Sequence, residues 1–139
     1  MNNKIGSDLK GLFAFHLLAT AITGLLGMLY PSFIIRISGL DPNSIPVMQQ
    51  AGGLAAGFAV GAFFALRAET WDQVRVFVAA ASATNALSLL GAIYYVIILG
   101  VVTTGLVILL VVFTILTAGY LYAWRKYDHV ISNVAVKSA

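Results

Sequence analysis

From Val76 to Trp124 the chain reads VFVAAASATNALSLLGAIYYVIILGVVTTGLVILLVVFTILTAGYLYAW, 49 residues without a charged side chain. As one helix rising 1.5 Å per residue it would be about 73 Å long, more than twice the roughly 30 Å of a bilayer's hydrocarbon core. It must double back. The weakest point is Gly100-Val-Val-Thr-Thr-Gly105, where two glycines lower helix propensity and two threonines bring hydroxyls for open carbonyls. Two membrane spans follow, at about 74–99 and 106–124.

Toward the N-terminus, charges again bracket uncharged runs. Gly11 to Ile35 and Pro42 to Leu66 are 25 residues each, enough for one crossing apiece, with spans at about 12–30 and 47–66. The first run begins after Lys4 and Lys10 and contains Ala19-Thr20-Ala21, as a cleaved secretory leader would. It stays apolar as far as Tyr30 and is read as a span. The expected fold is all-α, a single domain over residues 1–139 forming an integral membrane four-helix bundle.

Composition agrees. The chain is 60% hydrophobic and 9% charged, against about 45–50% and 25% in soluble domains. Thirteen charged side chains cannot cover a water-facing surface, so most of the surface is expected to face lipid. With no cysteine, disulfides, thiolate nucleophiles and cysteine-ligated metal centres are excluded. A net charge of +3, scattered along the chain, forms no phosphate-tracking surface, so nucleic acid is not an expected partner.

An even number of spans puts both termini on one side. That side holds Lys4, Lys10, Arg67, Arg75, Arg125, Lys126 and Lys137, and the other holds Arg36 alone. The positive-inside rule then places both termini in the cytoplasm, with the protein in the cell's inner (plasma) membrane. Trp71 and Trp124 are expected in the inner aromatic belt and Tyr30 in the outer one. All three prolines, Pro31, Pro42 and Pro46, fall in the first loop. There Phe33, Ile34, Ile37 and Leu40 share one helical side, fitting a short element at the outer interface or an apolar loop folded over the bundle end. Thr70 and Gln73 have capping-box spacing and mark the start of the third span.

Gly53, Gly57, Gly61 and Ala65 recur every four residues on the second span, the small-residue pattern that lets helix backbones approach closely in lipid. This face is expected to pack within the bundle, with self-association or docking to another subunit as the alternative. The fourth span is bulky on every side and is expected to face lipid or a partner.

His16 is the one ionisable side chain well inside a span, and intramembrane titratable groups are candidate functional sites by default. It is read either as a neutral histidine satisfied by a backbone carbonyl or a polar neighbour on another helix, or as a ligand for a metal, tetrapyrrole or pigment, or as a hydrogen-bonding group for a substrate such as a quinone in a pocket. Asn85 lies near the midplane and needs a partner, for which Thr84, Ser88 and His16 are available. Gln49, Gln50, Tyr94 and Tyr95 sit near the outer ends of their spans, where they rim a pocket or simply wet the interface. All five acids, Asp8, Asp41, Glu69, Asp72 and Asp128, fall at the aqueous ends, so no intramembrane carboxylate is present for a proton relay. No metal-spaced histidine pair, phosphate loop or nucleophile triad is legible, and catalysis is not expected.

From Tyr30 to Arg75, the order Tyr30-Pro-Ser-Phe33, Gln50-Ala-Gly-Gly53, Gly57, then Leu66-Arg67 and Arg75, resembles small bacterial four-helix inner-membrane proteins of the broad DoxX-like kind. The resemblance spans about a third of the chain. Members are accessory subunits of membrane oxidoreductases or have no assigned role, so the resemblance implies a helper rather than a catalyst and carries no site residues with it. The expected function is a non-catalytic accessory or scaffold subunit whose partners are lipid and a larger membrane protein or a second copy. The alternative is a binder of a hydrophobic small molecule, such as a quinone, lipid or pigment, in a pocket within the bundle.

Overall fold

The computed structural model describes residues 4–137, with side chains as far as Tyr127; Asp128, His129 and Lys137 lie outside the side chains described. The helices are α1 (Ser7–Leu29), α2 (Pro31–Ser38), α3 (Ile45–Arg67), α4 (Trp71–Ile97) and α5 (Thr104–Lys137), with a 3-10 turn at Pro42–Ser44 before α3. Four segments, Ser7–Leu29, Pro42–Arg67, Trp71–Ile97 and Thr104–Tyr127, are long and apolar enough to cross a membrane. Their outward side chains, among them Leu18, Leu54, Val76 and Leu87, are more than half exposed. Only an apolar solvent matches such a surface.

Local chemistry sets the breaks. The long uncharged run turns between Ile97 and Thr104, where Gly100 takes a φ of +64° and the Thr103 hydroxyl accepts from the Leu106 N–H at 3.2 Å. Pro31 opens α2 at its first position, where a missing N–H costs nothing. Gly39, at a φ of +67°, closes it, and the Leu40 N–H reaches back to the Ile35 carbonyl at 3.1 Å. At the start of α4, Gln73 Oε1 accepts from the Glu69 and Thr70 N–H groups at 2.9 and 3.2 Å, the reaching-back half of a capping box.

The bundle is built from two helix pairs. α1 packs along α3 so closely that backbones touch: a Cβ added to Gly52 would lie 2.7 Å from the Met28 nitrogen, and one added to Gly24 would lie 2.7 Å from the Ala56 nitrogen. Dispersion between such surfaces is what holds helices together in lipid. The register differs from the one expected. Gly53 and Gly57 are exposed, and a Cβ at either meets nothing within 4 Å; Gly61 abuts the Phe77 ring, and Ala65 is buried. The contact face runs through Gly52, Ala59, Ala62 and Ala65. Small residues stand on both sides of the expected column, so the helix's own periodicity cannot choose between Gly52 and Gly53. Gly24 and Gly27 of α1 make that choice.

α4 packs along α5, and the two pairs meet at the end of the bundle nearest the N-terminus. There Leu9, Phe13, Trp71, Val74, Val78, Leu116 and Tyr120 form the core. Two expectations change. Trp71 is not an interfacial anchor; it is fully buried, stacked on Tyr127 at 5.5 Å and edge-on to Trp124 at 5.6 Å. The fourth span does not face outward on every side, because α5 turns Leu116, Tyr120 and Ala123 into the core while Val107, Val111 and Ile115 stay exposed.

A polar latch closes this end. Tyr127 Oη accepts from the Gly6 N–H at 2.8 Å and donates to Asp8 Oδ1 at 3.2 Å, while Lys126 pairs with Asp8 Oδ2 at 2.7 Å. The Lys10 ammonium donates to the Leu66 carbonyl at 3.0 Å, covering an open acceptor at the C-terminal end of α3. The Ile5 N–H donates to the Glu69 carbonyl at 3.0 Å.

Candidate functional site: an apolar cavity beyond a buried His–Tyr pair

His16 is 1% exposed. Its Nδ1 is hydrogen-bonded to the Tyr120 hydroxyl from α5. Phe58 stacks on the imidazole at 6.0 Å, Phe77 lies 5.6 Å from it, and Phe13 closes the cluster against Phe77 at 5.9 Å. The histidine therefore has its polar partner on another helix, at Nδ1. The bond pairs one ring nitrogen of the buried imidazole with the buried phenol, and the three phenyl rings exclude competitors for it.

Beyond this pair the helix pairs diverge. One turn past His16 stands Thr20, one turn past Tyr120 stands Leu116, and both line a cavity of about 560 Å³. Its volume falls in the range of about 300–1,000 Å³ typical of small-molecule sites. α1 supplies Ala19, Thr20 and Thr23; α3 supplies Met48, Ala51, Gly52 and Ala55; α5 gives most of the remaining wall, from Leu106 to Leu116. α2 is the roof. Its Ile34, Ile37 and Ser38 face the cavity, while Ile35 is buried. Gly105 lets the first turn of α5 meet this roof, since a Cβ there would lie 2.8 Å from Ser38 Oγ and 3.1 Å from the Ile37 carbonyl oxygen. The first loop is thus both a short helix and a lid over the bundle end.

Asn85 and Tyr95 of α4 are on the cavity wall. Gln49, Gln50 and Tyr94 are not; all three are exposed, and Tyr94 packs edge-on against Tyr95 at 6.4 Å. Nor does Asn85 form the interhelical lock expected of it. Its Nδ2 donates to the Ala81 carbonyl one turn back on α4 at 2.6 Å, and His16 is taken by Tyr120. The helix's own carbonyl is always within reach of an amide four residues on, so it outcompetes a group on another helix that must be brought there.

Tyr120, Phe58, Phe77 and Thr20 were not singled out from sequence. Leu116, Tyr120, Ala123 and Tyr127 do recur at helical spacing in α5, which is the signal that marks an inward face. Among the described residues, no group of three His, Asp or Glu side chains is placed to hold a metal ion.

Compared with protein-family models, curated proteins and solved structures, the chain matches none.

Proposed function

We propose that the protein is a non-catalytic membrane binder of a hydrophobic small molecule, held in the cavity between the two helix pairs under α2. The cavity itself carries the reading. A void of about 560 Å³ walled almost wholly by apolar side chains leaves lining atoms without dispersion partners unless something fills it. The few convergent polar groups, Thr20, Thr23, Asn85, Ser38 and Tyr95, are what orients a ligand in such a site. The bilayer is its source, and the protein sits in the cell's inner membrane with both termini cytoplasmic. The supporting observation is the basic asymmetry, with Lys4, Lys10, Arg67, Arg75, Arg125 and Lys126 at one end and Arg36 at the other.

Gentle extraction followed by native mass spectrometry tests this. A solitary protein retaining a lipid-soluble molecule is expected, and Ala55→Phe, which fills the cavity from α3, should release it. An empty wild-type protein, or retention unaffected by Ala55→Phe, would count against the reading.

A second reading, an accessory subunit of a larger membrane complex, is favoured by the exposed Gly53 and Gly57 on α3, beside Leu54 at 71% exposure. That face is flat enough for another helix, and the DoxX-like resemblance points the same way. Stoichiometric co-purification of another membrane protein in the same experiment would favour it.

A further inference from the structure

The cavity is as tall as one leaflet. Along α4 it runs from Asn85 to Tyr95, and along α5 from Leu116 to Leu106. Ten residues of helix rise about 15 Å, half of the roughly 30 Å hydrocarbon core. The aromatic layer around His16 and Tyr120 closes the end near the midplane. α2 closes the other end by pressing on the start of α5: a Cβ on Gly39 would lie 2.9 Å from Thr103 Cγ2, and one on Gly105 would lie 2.8 Å from Ser38 Oγ.

The sides are open. Both seams between the helix pairs are sealed at the aromatic end, α3 to α4 where Gly61 meets Phe77 and α5 to α1 where Gly119 meets Leu12. Followed toward α2 along the same helix faces, by about two, five, three and three turns, these four positions lead to Leu54, Tyr95, Ile108 and Thr23. All four are exposed, and Tyr95, Ile108 and Thr23 also line the cavity. A side chain that both lines a cavity and is exposed stands at its mouth. Each of these residues lies within a segment long and apolar enough to cross a membrane, so the mouths open on lipid chains.

Fluid chains beside an apolar cleft fill it, because a void forfeits dispersion at every wall atom. The wall carries no Asp, Glu, Lys, Arg or His, so a charged or zwitterionic head would lose its hydration there without a counter-charge. A tail entering sideways leaves that head at the interface. The polar side chains are graded to match. Ser38 and Tyr95 stand at the interface end, at the level of a lipid's ester groups, whereas the deeper Thr20 and Thr23 give their hydroxyl hydrogens to the His16 and Ala19 carbonyls of their own helix.

Resting on the reading that this cavity holds an apolar small molecule, we propose that its occupant is the hydrocarbon tail of a bilayer lipid from the leaflet on the α2 side, admitted sideways between the helix pairs, with its methyl end near Asn85 and its headgroup outside.

The test uses the full chain in phosphatidylcholine nanodiscs doped with one of three photoactivatable probes. Two are phosphatidylcholines with a diazirine near the ester end or near the methyl end of an acyl chain, and the third is free adamantyl diazirine, which has no head. Peptide mapping should place the methyl-end label at Thr20, Asn85 and Leu116 and the ester-end label at Ser38 and Tyr95. Ala55→Phe should abolish the methyl-end label at those three positions; Ala51→Phe, at the mouth between α3 and α4, serves if that variant does not fold. A disulfide joining Ser38→Cys to Gly105→Cys locks α2 down and should leave the labelling unchanged. Loss of labelling on locking α2, or a reversed order of the two labels, would overturn the sideways, tail-first entry. The free probe labelling the cavity where neither lipid probe does would overturn the lipid-tail inference while leaving the cavity a binding site. No label in the cavity from any probe would overturn the binding reading as well.

Discussion

At the scale of single residues, the His16–Tyr120 bond shows how a titratable group is accommodated in a bundle without a nearby acid. The sequence identified His16 as the side chain in need of a partner, because an imidazole inside an apolar run cannot be left unsatisfied. It did not identify Tyr120, which is 104 residues away and looks like any other aromatic in a greasy span. Tyr120→Phe leaves the imidazole unpaired and should lower stability by about 1–2 kcal/mol, the upper part of the range for interhelical hydrogen bonds in membranes. Adding His16→Phe to that variant removes both groups and should recover part of the loss, since replacing both partners by apolar groups is nearly neutral. Unfolding titrations in mixed micelles measure both, and equal stability of the single and double variants would contradict the pairing. Surface pairing matters less: Asp8 and Lys126 are each about 40% exposed, where solvent screens an ion pair and little stability comes from it.

At the scale of elements, α3 is the instructive case. Its composition announces close packing, yet small residues occupy several adjacent faces, and only the partner helix selects one. The contrast is measurable. Gly52→Leu forces a side chain into the backbone of α1 and should destabilise by about 1–3 kcal/mol or more, whereas Gly57→Leu projects into open space and should be tolerated. Detergent unfolding of the two variants side by side decides it; a more damaging Gly57→Leu would mean that this face is covered by another chain. α2 makes a related point. Its apolar side was legible from Phe33, Ile34, Ile37 and Leu40, but the same pattern serves an interfacial helix and a lid. The matching glycine at position 105 on α5 is what seats it as a roof over the cavity.

At the scale of the whole molecule, the arrangement is two helix pairs joined at one end by an aromatic core and a polar latch, and held apart at the other by α2. The aromatic side chains of Phe13, Phe58, Phe77, Trp71 and Tyr120 fill the joined end. The open end is lined on α1 and α3 by alanine, glycine and threonine, with Met48 the one long side chain, and the small residues leave it unfilled. Size, more than hydrophobicity, distinguishes the two halves. The proposed orientation is open to direct measurement because the chain has no cysteine of its own. Introduced singly, Arg67→Cys should be shielded from a membrane-impermeant maleimide added to intact cells, and Arg36→Cys should react. The opposite pattern would invert the topology.

The number of spans, their approximate ends, the turn at Gly100 and the apolar solvent around the molecule were all determined by the sequence, because each follows from lengths of uncharged run and the fixed rise of a helix. What the tertiary structure alone decided was which small face of α3 is buried, that Trp71 and one side of α5 are core, that Tyr120 answers His16, and that Asn85 and Tyr95 share a cavity that Gln49, Gln50 and Tyr94 do not. In a membrane chain nearly every residue is apolar, so hydrophobic pattern no longer separates inside from outside. That distinction rests on side-chain size and shape matched between helices far apart in the chain, which one helix's periodicity does not contain.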